Sequence, residues 1–416
     1  MRVWYSKGMT VEFLPGWRRF ICGLLAILSM LGCSVKSNGF DEPEPRIRLA
    51  TFNCSLNRNE AGSLAAELAG GNAMQARQIA KILRQIRPDV VLLNEFDYTT
   101  DGAAADAFCR DYLEAKAAWA TEPPLVLPYR FQAPVNTGEP SGRDFDHDGR
   151  PGGPADAIGF GRFPGQYGML VLSRFPIDQQ RSRTFQKLLW KDMPRALLPV
   201  DPKTSQPWYS AEDLSVLRLS SKSHWDVSVR LPQGELHVLA SHPTPPAFDG
   251  NEDRNGCRNH DEIRFWAEYL DNRESAWIRD DIGQTGGLDS NAVFVILGDL
   301  NADPVDGGSR PGAIQLLLEH PRVNAEPSPV SAGAAEATVL QKGRNREHRG
   351  PADQDTADFS DASVGNLRVD YVLPSRGLRR VGGAVFWPKR GDAGAELIEC
   401  SDHRLVWVDL EFAAGQ

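Results

Sequence analysis

The sequence predicts an α/β fold in which helices are layered on stacked sheets. Three observations carry this. Short β-branched apolar runs such as VVLLNE, VFVILGD and LHVLASH recur along the chain, each bounded by polar or turn residues, as buried strands are. Helix-like stretches lie between some of these runs without strict alternation, which favours α/β layers around stacked sheets. No repeat, and no linker after residue 45, divides the chain, so its 416 residues read as one large domain behind an N-terminal leader. The composition, 41% hydrophobic and 24% charged, is that of a globular protein and excludes collagen, coiled coil and wholesale disorder.

The leader comes first. Arg18 and Arg19 precede the apolar run Phe20 to Leu31, and Gly32-Cys33 follows. A basic flank, a short apolar stretch and a small residue before the cut predict a secretory signal over residues 1–32. The run is too short for a stable membrane span. Met30-Leu31-Gly32-Cys33 resembles the bacterial lipobox, which implies lipidation of Cys33 and a membrane anchor, with plain export as the alternative. Ser34 does not match an inner-membrane retention signal, so the expected location is the cell envelope, at the outer membrane or periplasmic face. Residues 33–45 are polar and Pro-containing and read as a tether. The domain is expected over 46–414. Cys54, Cys109, Cys257 and Cys400 remain in an oxidising compartment, where three pairings or free buried thiols are all open. No CxxC spacing is present, which argues against a zinc cage.

Strands are predicted over 47–53, 90–95, 168–173, 225–231, 235–242, 292–299, 367–373 and 405–410. Helices are predicted over 72–87, 103–116, 260–279 and 312–319. Residues 127–166, rich in Gly, Pro and Asp, and 321–366 read as long loops, a length that is unusual unless functional or disordered.

Polar residues recur where the apolar runs stop. Asn53, Glu95, His242, Asp299, Asn301, Asp370 and the pair Asp402-His403 all sit at or near strand ends. A rigid sheet can gather such residues on one rim. A single Asp after a strand is usually a turn or a cap, but so many repetitions call for another explanation.

The stretches that carry these residues are ATFN with Asn53, PDVVLLNEFD with Glu95, GQYGMLVLSRFPI, ASHPTPP with His242, GDLNADP with Asp299 and Asn301, RVDYVLPS with Asp370, and SDHRLVWVDL with Asp402 and His403. In this order and spacing they resemble the endonuclease/exonuclease/phosphatase superfamily, which includes pancreatic deoxyribonuclease, AP endonucleases, inositol phosphatases and bacterial sphingomyelinases. The resemblance covers most of residues 46–412. It implies a four-layer α/β/β/α sandwich with two packed, mixed, mostly antiparallel sheets, and metal-dependent hydrolysis of phosphoesters.

A hard cation with oxygen ligands would neutralise charge on the phosphate and acidify a water. The resemblance makes Glu95 the Mg²⁺ (or Mn²⁺) ligand, with Asn53 and Asp402 completing or supporting the site. It makes His403 a general base or phosphate contact oriented by Asp370. Asp299 would handle a proton on water or on the leaving oxygen, Asn301 would donate to a phosphoryl oxygen, and His242 would be a second imidazole on the phosphate. Which group is acid and which is base stays open.

Ser221-Lys222-Ser223-His224 precedes a predicted strand, so Lys222 and His224 could contact phosphate; a solvated hairpin turn is the alternative. Two loops resemble calcium loops. Asn251-x-Asp253-x-Asn255-Gly256-x5-Glu262 has the EF-hand spacing, and Asp144-x-Asp146-x-Asp148-Gly149 begins in the same way but lacks the twelfth-position Glu. Structural Ca²⁺ is one expectation there, a polar turn the other. Arg258 to Glu262 either faces the cleft or caps a helix. Tyr129, Arg130 and Asn136 are weaker substrate candidates.

The net charge is −9, and the leader removes more basic than acidic residues. Whole-molecule attraction to polyanions is therefore absent, which disfavours nucleic acid. The expected function is a metal-dependent phosphodiesterase or phosphatase acting on an extracytoplasmic organophosphate or lipid headgroup. An exported nuclease and a non-catalytic binding lipoprotein on the same scaffold are the alternatives.

Overall fold

The computed structural model describes residues 46–273 and 275–412. The predicted signal, Cys33, the tether and residues 413–414 of the expected domain lie outside the described residues.

The strands are β1 Ile47–Asn53, β2 Val90–Asn94, β3 Tyr129–Phe131, β4 Met169–Ser173, β5 Ile177–Thr184, β6 His224–Leu231, β7 Gly234–Ser241, β8 Val293–Asp299, β9 Ala357–Asp358, β10 Asn366–Leu367, β11 Asp370–Pro374, β12 Leu378–Val385 and β13 Val406–Phe412. The helices are α1 Ser63–Leu68, α2 Met74–Ile86, α3 Ala103–Phe108, α4 Ala211–Leu214, α5 Arg254–Asp271, α6 Gln315–Leu318 and α7 Ala332–Gln341. One sheet runs β12-β13-β1-β2-β4-β3 and the other β11-β8-β7-β6-β5, with β9 and β10 as a separate short ladder. Only β1 with β2 and β7 with β8 pair in parallel; the other neighbours are antiparallel.

Alternation along the strands builds the layers. Leu49, Val90, Leu92 and Val171 of the first sheet meet Val227, Val238, Val295 and Val372 of the second in the central core. The opposite faces carry Phe52, Val91, Leu93 and Leu170 against Ile79 and Leu83 of α2, and Leu239, Phe294 and Ile296 against Phe265 and Trp266 of α5. Each fully buried side chain of this kind contributes about 1.5–3 kcal/mol. The result is the α/β/β/α sandwich expected from the sequence, with mixed, mostly antiparallel sheets. No helix among the described residues is long and apolar enough to cross a membrane.

The strands absent from the prediction are largely edge strands. β3, β5 and β12 each lie at a sheet margin. β5 is half-exposed or exposed along most of its length, as is β12, so neither shows an apolar run. The expected strand 367–373 is two pieces, β10 and β11. α5 starts six residues before its predicted position, and α7 lies inside the stretch expected to be loop, where its alanine-rich sequence has little amphipathic signal. Cys54, Cys109, Cys257 and Cys400 are all free thiols, none paired with another.

Topology places the site. β1 and β2 end together at Asn53 and Asn94, and β7 and β8 end together at Ser241 and Asp299. Strands antiparallel to these begin on the same rim: Asp370 lies opposite Asp299, and His224 opposite Ser241. Residues 402 and 403 lead into β13, which pairs Val406 with Thr51.

Candidate active site

Asp299 is the hub. It is almost wholly buried, and its Oδ2 accepts from Asn53 Nδ2 at 3.0 Å. The same oxygen lies 3.3 Å from Nε2 of His242 and 3.6 Å from Nε2 of His403. Side chains from β1, the end of β7 and the lead-in to β13 thus converge on one oxygen at the end of β8. Burial pushes the Asp299 carboxyl upward, but His403, His242 and the hydrogen bonds from His242 and Asn53 outweigh it and hold the carboxyl well below the ordinary range.

His403 Nδ1 donates to Asp370 Oδ2 at 2.9 Å. Burial alone would lower the pKa of this imidazole; the carboxylates of Asp370 and Asp299 overcome that and raise it. Asp370 is itself held by Thr356, whose Oγ1 donates to Oδ2 at 2.8 Å. His242 differs. Burial and then the nearby Lys222 lower its pKa, so it is the imidazole favoured as neutral at neutral pH.

Glu95 adopts φ 57° and Asn301 φ 52°, both in the left-handed region that non-glycine residues seldom occupy. Asn53 Nδ2 donates to Glu95 Oε1 at 3.1 Å, and Asn57 Nδ2 donates to Oε2 at 2.8 Å. The Asn53 amide therefore joins Glu95 to the Asp299 hub. Asp402 is exposed, its Oδ1 3.5 Å from Ser55 Oγ, and the adjacent Ser401 Oγ donates to Asn53 O at 2.7 Å. Asn301 Nδ2 donates to Pro243 O at 3.1 Å, which leaves its second N–H available.

Glu95, Asn53 and Asp402 offer only oxygen donors, and each Glu95 oxygen carries one amide partner, with lone pairs left over. This fits a hard divalent cation that keeps several waters. Asp299, Asp370 and His403 also form a group of potential ligands, with donor atoms within 4.8 Å of one another. Its members are engaged in the hydrogen bonds just given.

Lys222 lies on this rim, only 7% exposed. Burial lowers its pKa, opposed by Glu262, Glu95 and Asp299. Among the described residues its ammonium has no hydrogen-bond partner, and Asn136 N donates to its carbonyl at 2.8 Å. His224 is corrected. Its ring lies between Ser220 Oγ on Nδ1 and the Glu262 carbonyl, 2.9 Å from Nε2, and packs on Phe265 and Trp266. Both nitrogens are occupied, so the residue belongs to the packing and not to the substrate set.

The EF-hand-like stretch is also corrected. Asn255 is already helical, Asp253 pairs with Arg310, and Glu262 is buried and occupied by Ser221 and Thr244. In the other loop, donor atoms of Asp144, Asp146 and Asp156 come within 4.8 Å of one another. Asp144 and Asp156 already accept backbone N–H groups there, and Asp148 is not part of the group. Arg258 to Glu262 lie inside α5, more than a turn past its start at Arg254, and all but His260 are buried. Arg130 pairs with Asp106.

Sequence reasoning missed Asn94, Asn57 and Thr356. Asn94 Oδ1 accepts from Asp299 N at 3.2 Å, and Asn94 Nδ2 donates to Ser241 O at 3.3 Å, so one amide joins the two sheets beneath the site. Its only signal was a polar residue closing VVLLN, overshadowed by Glu95 beside it. Thr356 had no signal inside an expected loop.

The sequence profile of the Endonuclease/Exonuclease/phosphatase family matches residues 50–403. The chain belongs to this family. Endonuclease/Exonuclease/phosphatase proteins are metal-dependent phosphoester hydrolases, in keeping with the carboxylate–imidazole cluster and the oxygen donors on the rim. A family structure from Beutenbergia cavernae is 18% identical, with 88% of this chain and 72% of that one covered and a TM-score of 0.48. Sphingomyelinase C from Streptomyces griseocarneus is 15% identical, covering 88% of this chain and 99% of that one, with a TM-score of 0.44. A Staphylococcus aureus beta toxin mutant with bound magnesium ions is 12% identical, covering 89% and 100%, with a TM-score of 0.42. No curated protein sequence matches the chain. Identities this low leave the substrate to the chain's own residues.

Proposed function

We propose that this chain is an exported, lipid-anchored, Mg²⁺-dependent phosphodiesterase or phosphatase acting on small organophosphates or lipid headgroups outside the cytoplasm. The observation that carries the chemistry is the convergence of Asn53, His242 and His403 on Asp299 Oδ2, with Asn53 also bonded to Glu95. The anionic whole-chain charge of −9 supports a small or membrane-borne substrate over a nucleic acid. The leader and Cys33 support the location.

In this reading Glu95, Asn53 and Asp402 hold Mg²⁺, which when bound neutralises phosphate charge and acidifies a water. His403, oriented by Asp370 and held towards the imidazolium by the carboxylates of Asp370 and Asp299, donates from Nε2 to a phosphoryl oxygen. Asp299, held ionised, orients the attacking water and takes its proton. His242 and the free N–H of Asn301 donate to phosphoryl oxygens, and the buried ammonium of Lys222 adds positive charge on the same rim. Mn²⁺ suits the same donors.

The test is purified mature protein with Mg²⁺ on an aryl phosphodiester, plasmid DNA and RNA. Metal-dependent release from the aryl ester with slow or absent nicking is expected. Brisk plasmid nicking would give first place to the nuclease alternative, and no turnover on any substrate would point to a binding protein. Labelled palmitate incorporated into the wild type but not into Cys33→Ala would support the anchor; equal labelling of both would sink it.

A further inference from the structure

α5 presents a polar stripe to the site at a spacing that puts all its members on one helix face. Asn259, Glu262 and Trp266 lie at positions i, i+3 and i+7, and all three are buried. Asn259 Nδ2 donates to Thr244 O at 2.8 Å and to Leu300 O at 3.0 Å, and lies 3.4 Å from Asn301 O. Glu262 Oε1 accepts from Ser221 N at 2.6 Å and from Ser221 Oγ at 3.0 Å. Its Oε2 accepts from Thr244 N at 2.6 Å. Trp266 Nε1 donates to Ser241 Oγ at 2.9 Å.

These bonds bracket the rim residues. His242 lies between Ser241, tied to Trp266, and Thr244, tied to both Glu262 and Asn259. Lys222 follows Ser221, held by the other oxygen of Glu262. Asn301 follows Leu300, whose carbonyl is held by Asn259. Three loops from three separate stretches of sequence are set against one another by one helix face. A buried carboxylate is costly unless its lone pairs are filled, and Glu262 spends them on loop donors, with Lys222 and Arg258 as its neighbouring positive charges.

We propose that Glu262, Asn259 and Trp266 are positioning residues for the reaction: they act through His242, Lys222 and Asn301 by fixing the three loops. A helix is stiffer than a loop, so a stripe of this kind turns loop residues into a preorganised set. Displacements of about 1 Å in such a set cost roughly 10²-fold in rate.

The kinetic arm of the test rests on the phosphoester reading; the other arm does not. Hydrogen exchange on the protein without substrate should show the Ser221 and Thr244 amides exchanging faster in Glu262→Gln than in the wild type, with β1 and β2 unchanged. On an aryl phosphodiester, Glu262→Gln should lower kcat by about 10–100-fold, with KM and the Mg²⁺ half-saturation within about twofold, because Glu95 and Asn53 lie on the other sheet. In a His242→Ala, Lys222→Ala background the same substitution should cost little more, as expected of residues that act through one another. Trp266→Phe, which keeps an aromatic ring but loses the indole N–H and its bond to Ser241, gives a milder version if Glu262→Gln fails to fold. Unchanged exchange in both loops, or an undiminished rate loss in the double-variant background, would overturn the proposal. A wild type without turnover would refute the phosphoester reading and leave the exchange arm to decide this one.

Discussion

His403 turns its Nδ1 to Asp370 Oδ2 at 2.9 Å, so its Nε2 is directed at Asp299 and the centre of the rim. The pair fixes both the tautomer and the direction of the ring, and Thr356 fixes the carboxylate in turn.

Asp370→Asn therefore keeps the shape and removes the charge that favours imidazolium. An amide facing Nδ1 also favours the wrong tautomer. We expect kcat on an aryl phosphodiester to fall by roughly 10²–10⁴-fold, with the thermal midpoint little changed. Activity within a few-fold of the wild type would show that His403 does not need Asp370.

Metal binding is expected to depend on an amide as well as on carboxylates. Asn53 Nδ2 holds Glu95 Oε1, so Asn53→Ala should weaken the Mg²⁺ half-saturation by roughly 10–100-fold, and Glu95→Ala should abolish metal-dependent turnover. Chelator should remove activity, and added Mg²⁺ restore it. Full activity in the presence of chelator would contradict the site.

Asn94 should matter for stability more than its position in an apolar run implies. Asn94→Leu would leave Asp299 N and Ser241 O buried without these partners. The cost expected in denaturant unfolding is about 2–4 kcal/mol. A loss under 1 kcal/mol would mean that the two sheets re-pair without this amide.

His224 predicts an acid limb of stability. Burial pushes its pKa from 6.5 down to about 4, against the smaller opposing effect of Glu262. Between those values the unfolded chain holds a proton that the folded chain excludes. The contribution is whole above pH 6.5 and is lost as pH falls towards 4, on the order of 3 kcal/mol. The difference in unfolding free energy between wild type and His224→Gln should therefore narrow from pH 7 to pH 4.5; a constant difference would refute a neutral buried imidazole.

Much of the site was visible before folding because a polar residue stopping an apolar run is a local event. Asn53, Glu95, His242 and Asp299 each interrupt a run of buried strand residues, and nothing in the core would tolerate them a position or two earlier. Other members carry no such mark. Asn94 is one polar residue beside another, Thr356 sits in a stretch without periodicity, and Glu262 looked like the last ligand of a calcium loop because spacing along a chain does not say which way a side chain points. His224 looked like a phosphate contact for the same reason.

The amino-acid order alone determined the layered strands and helices, the residues at the strand ends and the resemblance to one enzyme family. The first two follow from short-range alternation between apolar and polar positions, and the resemblance from the motifs carried at the strand ends. Tertiary structure decided which of the polar residues meet. The ends of two parallel strand pairs and the starts of their antiparallel neighbours share one rim, so residues up to 350 positions apart, Asn53 and His403, contact the same carboxylate oxygen of Asp299. It also decided that α5 faces inward with its charges, because a buried carboxylate is tolerated only where distant backbone N–H groups arrive to meet it.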